Sequence, residues 1–289
     1  MIILTGAGGF IGSVVLGYLN KQGIDDVVLF DDLPTADQYK NLINKKYISL
    51  HCTAEMPEDR GHIDCVIHLG ANSNTLERDW GSLYETNVLS TRQWNQFCLK
   101  HSIPFIFASS SAVYGNGAGP MNHYAFSKSV SETEITGVVL RLFNVYGPNE
   151  YHKGRMASTI YQWFNQIQDI NQYKLFEGSR QLRRDLIYVE DVARIIHHFI
   201  TNYKPGVYDV GTGTSVDFET IADAVAAACK KGNKNFIAMP EDLKMQYQKD
   251  TKANTQALKE SGFEVDSMFP VRDGILEYMK YLKTNYSFY

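Results

Sequence analysis

A short run, Ile2-Ile3-Leu4-Thr5, passes without a spacer into Gly6-Ala-Gly8-Gly9-Phe-Ile-Gly12, and a mostly apolar segment continues from Phe10 to Gln22. A strand that turns through glycines straight into a helix constrains this chain more than any other feature. The helix start presents unpaired N–H groups and the positive end of its dipole, and residues without side chains let an anion reach them. The next β-branched run, Val27 to Asp31, ends in a carboxylate roughly twenty residues further on, the place from which an acid accepts hydrogen bonds from a ribose. Together these predict a dinucleotide site with Gly6, Gly9 and Gly12 at its pyrophosphate. Asp32 follows Asp31, and two carboxylates repel an extra ribose phosphate. NAD is therefore expected over NADP, with Lys40 as a residue through which NADP could still bind.

The alternation established at the start continues. Strands are expected at Ile2 to Thr5, Val27 to Asp31, Tyr47 to Leu50, Cys65 to Leu69, Phe105 to Ser109 and Val138 to Leu142. Helices fill the gaps, the clearest being Phe10 to Gln22 and Ser82 to Lys100, which puts Leu83, Val88, Trp94 and Phe97 broadly along one side. This is the βαβ rhythm of a parallel sheet. The fold class expected is α/β, a Rossmann-type doubly wound parallel sheet with a smaller C-terminal α/β lobe. After Pro148 the rhythm loosens through a polar stretch, and a helix from Glu190 to Tyr203 with a strand at Val207 to Val210 could return to the first sheet. The expected division is residues 1–145 plus 186–211 for the dinucleotide and 146–185 plus 212–289 for a second ligand. Pro270 to Lys283 reads as a closing amphipathic helix, with Pro270 at its start and Ile275, Met279 and Leu282 inward.

Composition narrows the classes. The 289 residues are 44% hydrophobic, ample for a large core, and the net charge of −4 argues against binding nucleic acid or a membrane surface by charge neutralisation. Cys52, Cys65, Cys98 and Cys229 form no CxxC pair, which suits a reduced, cytoplasmic setting with all four as buried packing residues and no metal site. Neither a signal peptide nor a membrane span is expected.

A second constellation carries proton chemistry. Oxidising an alcohol needs a base for the hydroxyl proton, and a tyrosine serves only if its pKa falls from about 10 toward neutrality. A lysine one helical turn away supplies the charge to do so. Of the 18 tyrosines, Tyr124 alone has a lysine four residues on, Lys128. Ser109-Ser110-Ser111 ends the preceding strand, on the side of a parallel sheet where ligands sit.

In their order, TGxxGxxG, the serine-rich strand end running to Tyr114-Gly115, YxxxK and Arg141-Leu-Phe-Asn-Val-Tyr-Gly-Pro148 resemble the extended short-chain dehydrogenases that act on nucleotide sugars, over nearly the whole chain. Within them the chain is most similar to the ADP-glycero-manno-heptose 6-epimerases, through His152 to Ser158, Phe176 to Ser179, Arg184 to Val189 and Leu243 to Gln248. The resemblance implies an epimerase that oxidises a sugar carbon to a ketone and reduces it again with the same bound NAD(P). It implies Phe10, Ile11, Asp31 and Asp32 at the adenosine half, with Leu69, Gly70, Ala71, Ser73, Asn87 and Val145 near the remainder. Ser110, Tyr124 and Lys128 would be catalytic, and Lys153 a second acid/base. Ser111, Asn144, Phe176, Glu177, Gly178, Ser179, Arg184 and Tyr247 would hold a nucleotide-diphosphate sugar. A homo-oligomer is expected.

Departures from the pattern bear on the ligand. Arg155 and Gln162 stand where the heptose epimerases have a substrate-contacting serine and histidine, so Arg155 joins the candidate substrate residues. Gln38 replaces the NADP-type lysine, and only nine residues, Gly115 to His123, separate Tyr114 from Tyr124. Lys153, Arg155, Arg180, Arg183 and Arg184 cluster in sequence, and guanidinium forks suit diphosphates. A 4,6-dehydratase is disfavoured because Ala112-Val113 stands where its acidic pair belongs, and an epimerase-reductase because no cysteine lies near Ser110. A UDP-sugar 4-epimerase needs only the residues already found, and a non-catalytic nucleotide-sensing protein of the same fold is the alternative from another class.

Overall fold

In the computed structural model, which describes residues 1–52, 61–244 and 247–284, seven parallel strands form one sheet. They are β1 (Ile2–Thr5), β2 (Val27–Phe30), β3 (Ser49–His51), β4 (Cys65–His68), β5 (Phe105–Ser110), β6 (Val138–Leu142) and β7 (Gly206–Val210), in spatial order β7-β6-β5-β4-β1-β2-β3. Strands β1, β2 and β4 are buried at every residue, as expected when helices cover both faces. The order reverses between β1 and β4, so the glycine turn after β1 and the loop from Leu69 after β4 flank the switch point where such sheets bind ligands.

The helices used below are α1 (Phe10–Lys21), α2 (Ser90–His101), α3 (His123–Glu132), α4 (Thr159–Ile170), α5 (Val189–Thr201), α6 (Phe218–Cys229) and α7 (Val271–Lys283). One face of the sheet packs Leu4, Ile67 and Leu140 against Val15 of α1 and Ile195 of α5, while the other packs Val66, Phe107 and Val139 against Trp94 and Cys98 of α2. A third core joins Ile160 and Trp163 of α4, Ile221 of α6 and Ile275, Tyr278 and Met279 of α7. Leu258, Phe263 and Met268 belong to the first core, so this late segment packs back on the sheet. Three two-stranded pairings complete the smaller part: Val145–Tyr146 with Ile187–Tyr188, Arg183–Asp185 with Ser215–Asp217, and Gln172–Phe176 with Asn233–Ile237.

Three expectations need correction, and one lies partly beyond what is described. The helix expected from Ser82 to Lys100 is three pieces, because Trp80–Leu83 and α2 are separated by a π-helical segment, Tyr84–Leu89. The edge strand is Ser49–His51; Tyr47 and Ile48 before it are exposed, although Ile48 N still donates to the Val27 carbonyl at 2.9 Å. Only Cys65 and Cys98 are buried; Cys52 is exposed and Cys229 half-buried. Met245 and Gln246, inside the Leu243 to Gln248 motif, lie outside the described residues. No helix among the described residues is long and apolar enough to cross a membrane.

Candidate active site

The glycine turn is built from contacts that admit no side chain. A Cβ on Gly6 would lie 2.6 Å from the Gly70 nitrogen, and one on Gly12 would lie 2.1 Å from the Gly6 carbonyl oxygen. Gly9 caps α1, and no side chain bonds the cap, so the first-turn N–H groups of Phe10, Ile11 and Gly12 stay available to an anion. Asp31 accepts from the N–H groups of Gly8 and Leu33, each at 2.8 Å, and from Gln38 Nε2 at 3.2 Å. Burial pushes its pKa up, against those N–H bonds. Asp32 is exposed. Asn41, which the sequence did not single out, is fully buried and donates to the carbonyls of Gly8 at 2.9 Å and Asn149 at 3.3 Å, while its Oδ1 has no partner among the described residues. Gln38 and Asn41 share one short 3-10 turn, Gln38–Leu42, so a single element braces the phosphate turn and its acid.

Beyond β4, Gly70 N donates to Thr5 Oγ1 at 3.0 Å, which ties Leu69 to Ala71 to the glycine turn, while Ser73 is exposed. Asn87 sits in the π segment, where an inserted residue redirects side chains. It was expected near the cofactor, yet its amide is taken up by protein. Oδ1 accepts from Asn72 N at 2.8 Å, and Nδ2 donates to Asn72 O at 3.0 Å and Ser127 Oγ at 2.9 Å. Asn87 therefore clamps the loop after β4 to α3.

Helix α3 begins where Asn122 Oδ1 accepts from Ala125 N at 2.8 Å, and this cap fixes the turn carrying Tyr124. Ser110 Oγ accepts from Ala112 N at 3.2 Å, which leaves its own proton free. Lys128 is buried, donates from Nζ to the Ala108 carbonyl at 2.9 Å, and stands 4.8 Å over the Phe107 ring. The structure brings Ser110, Tyr124 and Lys128 together but reverses one expectation. Burial raises the pKa of Tyr124, opposed by the nearby Ser110 hydroxyl, and Lys128 does not offset it. The physical reason is that Lys128 is itself stripped of water, which brings its pKa down to about 7. A half-charged ammonium held by a carbonyl is a weak field source for a phenol.

A polar chain runs beneath this group. Glu132, one turn beyond Lys128, accepts Arg141 Nη2 at 2.6 Å and Nε at 3.0 Å, and Ser109 Oγ also donates to it. Arg141 Nη1 donates to Tyr114 Oη at 2.7 Å, and that hydroxyl donates to Asp209 Oδ1 at 2.7 Å. Beside the chain lies a cavity of about 680 Å3 walled by Ser111, Tyr114, Phe143, Asp209, Gln248 and Thr251 among others. Gln248 Nε2 donates to the Gly115 carbonyl at 2.7 Å, so the short segment after Tyr114 is stitched to the chain near Tyr247.

The remaining candidates divide. Arg184 is buried, its guanidinium lying 5.2 Å from the Phe218 ring and 4.8 Å from the Tyr247 ring. Its Nη1 donates to the Arg183 carbonyl, and no ion pair reaches it among the described residues. Burial lowers its pKa, eased by the Tyr247 phenol and Asp250. Phe176 meets Tyr247 edge-on at 6.2 Å, and Ser179 is buried with its hydroxyl unpartnered among the described residues. Glu177 and Gly178 are exposed. Asn144 donates to the Asp185 carbonyl at 2.7 Å and to Thr251 Oγ1 at 3.1 Å, and Val145 pairs with Ile187. Lys153 Nζ lies 5.5 Å from the Phe10 ring centre, beside the glycine turn, and burial lowers its pKa. The other basic residues scatter: Arg180 pairs with Glu219 at 2.8 Å, Arg183 donates to the Ser215 carbonyl, and Arg155 is exposed. The sequence cluster is not a spatial one. Phe218 was missed because it is an ordinary helix-start residue until the fold sets it against Arg184.

The fold and this constellation define a Rossmann-type α/β protein with a serine, tyrosine and lysine at the sheet's C-terminal edge. The model of the NAD dependent epimerase/dehydratase family matches residues 2–211, and the chain belongs to that family. Solved structures agree along almost the full length. The ADP-L-glycero-D-manno-heptose-6-epimerase of Helicobacter pylori is 25% identical, covering 98% of this chain and 96% of its own, with a TM-score of 0.84. The UDP-N-acetylglucosamine 4-epimerase of Methanobrevibacter ruminantium M1, in complex with UDP-N-acetylmuramic acid, is 22% identical over 99% and 98%, with a TM-score of 0.83. A mutant UDP-glucuronic acid 4-epimerase of Bacillus cereus, in complex with a fluorinated UDP-glucuronic acid and NAD, is 25% identical over 99% of each chain, with a TM-score of 0.82.

Proposed function

We propose that this chain is an NAD-dependent nucleotide-sugar epimerase of the ADP-glycero-manno-heptose 6-epimerase kind. The observation that carries the reading is the convergence of Ser110, the buried Tyr124 and the buried Lys128 beyond the end of a parallel strand near the switch point. The glycine cradle fits a dinucleotide, because its backbone contacts leave no room for side chains and its helix cap is bare. Gly6, Gly9, Phe10, Ile11 and Gly12 would face the pyrophosphate, Asp31 the ribose, and Leu69 to Ala71 and Val145 the rest. NAD bound there would supply a hydride acceptor and donor and, when oxidised, a positive charge near the phenol.

In this reading the chain's own groups move the protons. Ser110 would hold the reacting hydroxyl through Oγ, and Tyr124 would carry its proton. Lys128 would favour the phenolate only while it is in its ammonium form. Lys153, at the glycine-turn side, would serve the second face of the ketone. Arg184, beside the Phe218 and Tyr247 rings, and the Ser179 hydroxyl, without a partner among the described residues, supply what a sugar-linked diphosphate needs, a permanent charge and a donor already stripped of water. We assign residues 1–145 with 186–211 to the dinucleotide and 146–185 with 212–289 to the sugar nucleotide.

A UDP-sugar 4-epimerase is the second reading, favoured by Arg155 and Gln162 at the two positions that depart from the heptose pattern. The test is epimer formation from ADP-heptose, UDP-glucose and UDP-N-acetylglucosamine, followed by NMR, with Tyr124→Phe alongside. Turnover of one substrate should fall by about 10²–10⁴-fold in the variant while the dinucleotide stays bound. Unchanged turnover in the variant, or no epimer from any of the three, removes the reading.

A further inference from the structure

The surroundings of Lys128 can be enumerated by element. Strand β5 offers the Ala108 carbonyl and the Phe107 ring. Strand β4 offers His68, fully buried, bonded to Thr5 at 2.8 Å and Thr91 at 3.1 Å and kept neutral by a pKa lowered to about 3. The π segment offers Asn87, whose amide is spoken for. From its own helix come Tyr124, one turn before, and Glu132, one turn after. Glu132 is the acid whose field reaches Lys128. It cannot swing away, because Arg141 of β6 grips both its oxygens and Ser109 of β5 donates to it. Arg141 is held in turn by Tyr114, which Asp209 anchors. Four side chains, Ser109, Arg141 and Asp209 from three strands and Tyr114 from the turn after β5, thus fix one carboxylate at helical spacing from the lysine.

We propose that Glu132 is a positioning residue that keeps Lys128 in its ammonium form, acting through Lys128 and not on any ligand. The catalytic importance of that charge rests on the function proposed above; the charge itself can be measured without substrate. An acid one turn away opposes the burial that strips the ammonium of its proton, and Arg141 holds that acid in place.

The experiment is a pH titration of the purified protein carrying lysine labelled with 13C at Cε, with Lys128→Met used to assign the resonance. The wild-type midpoint should lie near 7, and Glu132→Gln should lower it by about one pH unit. Loosened packing would instead admit water and raise the midpoint toward that of an ordinary lysine, so the sign separates the two roles. Glu134→Gln, which removes an acid paired elsewhere with Arg92, should leave it unmoved. A midpoint in E132Q that stays or rises overturns the proposal, as does an equal shift in E134Q. Should E132Q not fold, E132Q/R141Q, in which two amides can bond each other, is read against R141Q and must titrate lower. Failure of every epimerase assay would remove the proposed function and leave this titration standing.

Discussion

Lys128 and Arg184 are both buried cations without an ion-pair partner among the described residues, one on the sheet's helix-covered face and one at the edge of the smaller core. Burial acts on them differently. The lysine answers desolvation by shedding its proton near neutrality, whereas a guanidinium cannot, even with its pKa lowered, and spreads its charge over two aromatic faces. The contrast teaches that one burial process makes two devices: a group whose charge can switch, and a fixed charge that needs an anion.

The largest test of this contrast is the pH dependence of stability. Lys128 binds a proton in the unfolded chain up to about pH 10.4, but in the folded chain only up to about 7. Between those values the unfolded state holds more protons, so stability rises with pH. Below 7 both states are protonated and the burial cost is present in full. Wild type should therefore gain about 2–3 kcal/mol relative to Lys128→Met between pH 7 and 9, read from urea unfolding at each pH. A constant difference between the two proteins would mean that Lys128 is wetter than its surroundings show.

That contrast explains what the sequence could and could not disclose. Strand β1 falls where its run of Ile2, Ile3 and Leu4 predicts, because a strand buried at every residue reads as one continuous apolar run. The π segment at Tyr84–Leu89 was hidden, since a 3.6-residue period reads through a one-residue insertion without breaking. The spacing of Tyr124 and Lys128 was legible as one helical turn, but the state of the lysine was not, because it depends on Phe107, Ala108 and Glu132 closing around it. Arg183 and Arg184 looked like one basic patch. They sit consecutively on a strand, where side chains alternate, so one is exposed and the other enters the aromatic slot. Asn41 escaped notice, and Gln38 was read only as a missing lysine, because a brace for a distant loop has no local pattern.

A smaller effect falls on Arg184 itself, and it pits binding against folding. Arg184→Met keeps the side chain's length and apolar stem but removes the charge. If the slot exists for a diphosphate, the variant should bind UDP or ADP about 10- to 100-fold more weakly by calorimetry, the value of one charge-assisted contact. Equal affinity would mean that the guanidinium serves the aromatic stack alone. Stability should move less, by about 1 kcal/mol or under, and toward greater stability, because a methionine between Phe218 and Tyr247 replaces an unpaired buried charge with an apolar group. A large loss of stability in Arg184→Met would show that the hydrogen bond to the Arg183 carbonyl and the ring contacts hold the fold. The parallel with Lys128 would then fail, since only one of the two cations would be kept for its charge.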